Sequence, residues 1–282
     1  MQDIETMRVG AARVAILNAG NMRLQLSEEM AVPESLWRPQ YADLFERPDA
    51  CPSLSVYVEL EAARVLVDAN DYRATVTSDS PFALQDYTPP PTLPAQLAAL
   101  GVQPDDITDV VITHAHWDHY AGATTPTDSG PAPTFPRARY YLGAADWADA
   151  ELQTALADVS SLETRTLGAL HERGALRLVS QREQIADGVE ILPAPGETPG
   201  HQVVRVQSEG ETLYVIGDLL HHDIEVEHPD WMVTWADPPS MRETRRWLLG
   251  DALDEHALII AAHIFDAGRI ERAGGGMRWS RA

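Results

Sequence analysis

The stretch Val110-Val111-Ile112-Thr113-His114-Ala115-His116-Trp117-Asp118-His119 sets three imidazoles and a carboxylate at the end of a short apolar run. Val110-Val111-Ile112 predicts a buried strand. In an extended segment the side chains of His114 and His116 leave on one face and can converge on a single cation. Asp118 and His119 fall where the small-residue run Tyr120-Ala121-Gly122-Ala123 turns the chain. A helix starting there would aim them at a second position beside the first. Imidazole and carboxylate without thiolate suit zinc, with manganese, iron and cobalt as other occupants. Cys51, the single cysteine, stands far upstream beside Pro52 and is expected to take no part.

Four residues cannot fill the coordination shells of two ions, so further donors are expected at later strand ends. Three candidates stand there. The predicted strand Val189-Glu190-Ile191-Leu192 leads through Pro195-Gly196-Glu197-Thr198-Pro199-Gly200 to His201, ahead of Val203-Val204-Arg205-Val206. Leu213-Tyr214-Val215-Ile216 ends in Gly217-Asp218, and Leu258-Ile259-Ile260-Ala261-Ala262 ends in His263. Rigid strand ends are where loops deliver chemistry.

This ordered set of motifs, spread over residues 12–270, resembles the metallo-β-lactamase superfamily of metal-dependent hydrolases. The resemblance implies an α/β fold, a four-layer αβ/βα sandwich with two mixed sheets face to face, helices outside and metals at one edge. It implies that His114, His116 and His201 bind one divalent ion, that Asp118, His119 and His263 bind a second, and that Asp218 bridges them. Two such ions, zinc foremost, would turn a bridging water into the nucleophile. Asp118 would face that nucleophile, and it is expected to carry the proton to the leaving group. Two departures stand out. Asp68-Ala69-Asn70 replaces the usual Asp-Thr-Gly after the strand Arg64-Val65-Leu66-Val67, and Glu197 stands where a His is common. Neither removes an expected ligand; both bear on the groups that orient the ligands.

Within the superfamily, Gly217-Asp218-Leu219-Leu220-His221 and His228-Pro229-Asp230-Trp231 resemble the branch of N-acyl homoserine lactonases and methyl parathion hydrolase-like enzymes. That implies hydrolysis of a lactone, ester or phosphotriester. Glyoxalase II expects a helical substrate domain after the last ligand, flavodiiron proteins expect Glu at the place of His116, and exported β-lactamases often carry Cys at the place of Asp218. Two other classes remain in view: an iron oxidoreductase of the persulfide dioxygenase kind, using His114, His201 and Asp218 around one iron, and a non-enzymatic member that senses a ligand.

Length and composition agree with one hydrolase domain over residues 1–282, since 282 residues at 44% hydrophobic content can bury a sizeable core. Residues 28–47 form an excursion expected to act as a lid or a homodimer contact, with core packing of Leu36, Trp37, Tyr41, Leu44 and Phe45 as the plainer reading. A net charge of −22 disfavours nucleic acid and anionic membrane as partners and leaves a small-molecule substrate. Arg242, Arg245 and Arg246 sit on a predicted amphipathic helix after Asp237 and read as a solvated face. No apolar run is long enough to span a membrane and residues 1–10 carry charges, so a cytoplasmic location is expected. Trp117 is expected in the core. For His221, His222, Trp231 and Trp235, pocket lining and plain packing both stay open.

Overall fold

Val14 and Ile16 face one way while Ala15 and Leu17 face the other, the two-residue period of a strand buried on both sides. The same split separates Val65 and Val67 from Leu66, and Val204 and Val206 from Val203. In the computed structural model, which describes residues 4–282, these runs become two seven-stranded sheets.

The first sheet begins with β1 (Glu5–Val9), β2 (Ala12–Leu24), β3 (Asp49–Glu59), β4 (Arg64–Val67) and β5 (Asp109–Val111). A separate pair follows, β6 (Thr124–Thr125) with β7 (Ala132–Pro133), and then β8 (Arg139–Gly143) and β9 (Leu176–Val179) complete the sheet beside β5. Strands β1 to β4 are antiparallel; β4, β5, β8 and β9 are parallel. The second sheet holds β10 (Glu183–Ala186), β11 (Val189–Pro193), β12 (Gln202–Ser208), β13 (Glu211–Val215), β14 (Leu258–Ile260), β15 (Gly268–Ala273) and β16 (Gly276–Arg281). Its neighbours follow chain order, and only the β13–β14 pair is parallel.

The sheets meet over Val14, Val56, Val67 and Val111 on one side and Ile191, Val204, Val215 and Ile260 on the other, all buried. Each such side chain contributes roughly 1.5–3 kcal/mol on leaving water. Behind the first sheet, Leu66, Val110 and Tyr140 pack under Leu93 and Leu97 of the helix Leu93–Ala99. Behind the second, Tyr214 and Ile259 pack under Leu248 and Leu249 of the helix Pro238–Asp254. Helix, sheet, sheet and helix make the four layers of the expected sandwich. Among the described residues no helix is long and apolar enough to cross a membrane.

Several local readings change. Residues 124–136, whose Pro, Gly and Thr content reads as a loop, contain the β6–β7 pair. The excursion is the helix Glu34–Glu46, which contains Pro39 and is kinked at Tyr41. Trp37 stacks on Phe45 at 4.8 Å, and both Tyr41 and Phe45 meet Trp231 edge-on, while Leu36 is left 58% exposed. Backbone bonds from Ala31 to Met232 and from Thr234 to Glu29 tie the excursion to the loop after Asp218.

Arg245 corrects the solvated-face reading. It is only 1% exposed, whereas Arg242 and Arg246 on the same helix are exposed. Its guanidinium donates to the carbonyls of Leu219, Pro229 and Trp231 and pairs with Glu225. The other Glu225 oxygen accepts the backbone N–H groups of His221 and His222. One buried ion pair thus holds the whole loop that carries Asp218 and His221.

Candidate metal centre

Strand β5 stops at Val111, and Thr113 begins the turn that carries the histidines. Asp68, in a left-handed conformation just after β4, accepts from the backbone and hydroxyl of Thr113 and, at 2.8 Å, from Nδ1 of His119. His116 caps the short helix Trp117–Tyr120, which turns Asp118 and His119 inward. His114 Nε2 and His116 Nδ1 come within 2.8 Å, so the two rings face one point.

Asp218 lies at the middle. Its Oδ2 is 3.6 Å from His114 Nε2, 3.3 Å from His119 Nε2 and 3.2 Å from His263 Nε2. His263 is fixed from behind by the carbonyl of Pro52 at 2.8 Å from its Nδ1, and its Nε2 is 3.4 Å from Asp118 Oδ2. Donor atoms of His114, His116, Glu197 and Asp218 close to within 4.8 Å of one another, as do those of Asp118, His119 and His263, and those of Asp218, His221 and His263. Six of the seven expected ligands are therefore in these groups. His201 stands beside them with its ring 5.0 Å from that of His114 and its Nε2 accepting from the Asp218 backbone N–H at 3.2 Å. Gly217 permits that approach, since it has φ 53° and a Cβ there would lie 2.7 Å from His201 Nε2.

Glu197 and His221 enter these groups without having been expected as ligands. Glu197 Oε1 is 3.5 Å from His116 Nδ1 and 3.7 Å from His221 Nε2, and it accepts from the indole N–H of Trp235. Each stands four residues or fewer from an expected ligand, His201 or Asp218; that proximity was the available signal.

Burial opposes charge on His119, but Asp218, Asp118 and Asp68 outweigh it and hold the ring protonated well above the usual histidine range. Burial also opposes the Asp218 carboxylate, which His119 and His263 keep ionised far below its usual range. Burial pushes His201 down to about 3 and His114 well below its ordinary value, leaving both as neutral nitrogen donors. It pushes Glu197 up to about 7 against the pull of His221. An ion bound here would displace protons held by this network.

Asp146 braces the centre from outside. Its buried carboxylate accepts from Ala115 N at 2.9 Å, Thr198 Oγ1 at 2.9 Å and Gly200 N at 2.6 Å, joining the turn of His114 to that of His201. Asp146→Asn turns an acceptor into a donor facing other donors. It is expected to cost ~1–3 kcal/mol, read as a lower urea midpoint, together with a fall in bound metal.

A cavity of about 230 Å³ opens on the groups, walled by Met22, Leu24, Phe82, Trp117 and Trp235 with Asp118 and His263 at its base. Trp117, expected in the core, is half-buried against the cluster behind the first sheet and also meets Phe82 in this wall. Trp235 lines the cavity at 47% exposure, and Trp231 is buried behind it. His221 is buried at the cavity, whereas His222 is half-buried and pairs with Asp223. Cys51, expected to take no part, also lines the cavity with its thiol beside His263, because the pairing of Cys51 with Met22 carries the start of β3 to the metal edge.

The family model described as the metallo-beta-lactamase superfamily matches residues 48–263. Among the solved structures that share the fold, three cover nearly the whole chain. The hydrolase AbOPH of the beta-lactamase superfamily superposes with a TM-score of 0.81 at 17% identity, covering 100% of this chain and 98% of its own. AidC, a dizinc quorum-quenching lactonase in complex with a product, gives 0.76 at 21% identity, covering 99% and 97%. A probable metal-dependent hydrolase from Staphylococcus aureus gives 0.75 at 20% identity, covering 98% and 99%.

Proposed function

The chain belongs to the metallo-beta-lactamase superfamily, and from that premise we propose that it is a dinuclear metal-dependent hydrolase acting on a small lactone, ester or phosphotriester. The observation that carries the reading is Asp218 Oδ2, which faces His114 on one side and His119 and His263 on the other at 3.2–3.6 Å. His114, His116 and His201 would hold one ion with Asp218; Asp118, His119 and His263 would hold the other. Buried atoms without partners among the described residues, such as His119 Nε2 and Asp218 Oδ1, fit such occupancy, because buried polar groups otherwise find hydrogen bonds. Zinc suits this nitrogen and carboxylate set, and the dizinc lactonase of like fold supports it. When bound, such cations supply Lewis acidity and lower the pKa of water toward neutrality.

The chain's own residues do the rest. Met22, Leu24, Phe82 and Trp117 exclude water and receive the apolar part of the substrate. Asp68 and the Pro52 carbonyl fix the rings of His119 and His263. Asp118, lining the cavity beside His119 and His263, would accept a proton from the attacking water and pass it to the leaving oxygen. Asp118→Asn is expected to weaken the ion it would share with His119 and His263 and, assayed with metal in excess so that both ions are bound, still to lower turnover ~10²–10⁴-fold. Normal turnover in a fully metallated Asn variant would remove that role.

The test is metal identity and stoichiometry in protein purified without added metal or affinity-tag nickel, followed by a lactone, ester and phosphotriester panel. Two zinc-like ions per chain with turnover on the panel support the reading. A single iron with thiol or persulfide oxidation would sink it.

A further inference from the structure

Glu197 is nearly inaccessible, and among the described residues its Oε2 has no hydrogen-bond partner. Neither ring nitrogen of His221, the imidazole beside it, has one either. A buried carboxylate costs several kcal/mol unless a cation or good hydrogen bonds offset it, and the single donor that Glu197 receives is the Trp235 indole. What the carboxylate does face is the meeting point of His114 Nε2, His116 Nδ1 and Asp218, all within 4.8 Å of one another and of Glu197. Four converging donors at that separation, two nitrogen and two oxygen, are the shell of a divalent cation. Ligating carboxylates are themselves hydrogen-bonded by neighbouring groups, the part Trp235 plays here.

We propose that Glu197 is a ligand to the ion held by His114 and His116, giving the centre a third carboxylate beside Asp118 and Asp218. The proposal rests on the dinuclear reading and goes beyond it in one respect: the added hard oxygen narrows the advantage of zinc over manganese at that position. Trp235, on the cavity wall, acts as a positioning residue through this carboxylate.

The experiment measures zinc and manganese affinities of the full chain by competition with a chromophoric chelator, and the visible absorption of the cobalt-substituted protein, for wild type, E197Q, E197H and W235F. E197Q is expected to weaken one of the two ions ~10–100-fold, leave the other unchanged and alter the cobalt band. E197H is expected to retain zinc while losing manganese ~10-fold relative to it. W235F, at a half-exposed position that spares the fold, is expected to move affinity and spectrum in the same direction as E197Q by less. Wild-type affinities and an unchanged cobalt band in E197Q, or in W235F where E197Q does not fold, would overturn the proposal. A wild-type chain that takes up fewer than two ions would instead overturn the dinuclear reading, and this one with it.

Discussion

Asp218→Asn is expected to hold less than one ion per chain and to turn over at least ~10⁴-fold more slowly, because Lewis-acid stabilisation and the nucleophile are lost together. Asp218 Oδ2 sits within 3.6 Å of His114, His119 and His263 at once. An amide there carries no charge to offset the cations, and in one of its two orientations it points N–H donors at those imidazoles. Asp118 cannot substitute, since its carboxylate approaches His119 and His263 alone among the rings. Metal analysis and single-substrate kinetics check the first two effects. A third readout separates metal loss from misfolding: ions that bind only the native state raise the melting temperature, so a chelator should lower it in the wild type and leave the variant unmoved. A variant that keeps two ions and responds to chelator as the wild type does would show that the carboxylate is not the bridge.

Arg245→Met should be the most damaging change away from the cavity. Its ion pair with Glu225 is buried, and breaking such a pair typically costs ~3–5 kcal/mol, because the remaining charge stays out of water. Three backbone carbonyls, of Leu219, Pro229 and Trp231, lose their donor at the same time. Urea denaturation of Arg245→Met, Glu225→Gln and the double variant measures the effect. The double variant is expected to be less destabilised than the sum of the two singles by on the order of 1–3 kcal/mol. Simple additivity would show that the pair does not act as a unit. The loop released is the one bearing Asp218 and His221, so metal affinity should fall along with stability.

The layers and most of the donor set were legible because they depend on local rules. Apolar residues two apart mark strands wherever they are buried, and a histidine or aspartate just beyond such a run, as at His114, Asp218 and His263, is placed by the strand itself. What was not legible depends on partners distant in sequence. Arg245 carries a charge on an amphipathic helix and reads as solvent-facing; only the fold brings three bare carbonyls to it, and carbonyls leave no mark in a sequence. Cys51 reaches the centre through strand pairing, and Glu197, though it stands in the turn before His201, is aimed there by turn geometry that residue spacing alone does not specify. The hairpin of β15 and β16 is a different case. Its turn, Gly274 and Gly275 with φ 55° and 96°, is the glycine pair a tight hairpin favours, so the signal stood in the sequence beside two short and weakly alternating strands.

The chain builds its first sheet entirely from residues up to Val179 and its second entirely from Glu183 onward. His114, His116, Asp118 and His119 come from the earlier half, and Glu197, His201, Asp218, His221 and His263 from the later. Neither half owns a full set of donors. A nick between the sheets would divide the donors between two fragments that also share one buried core, so ion uptake would report their reassociation, and any ion held here would tie one sheet to the other.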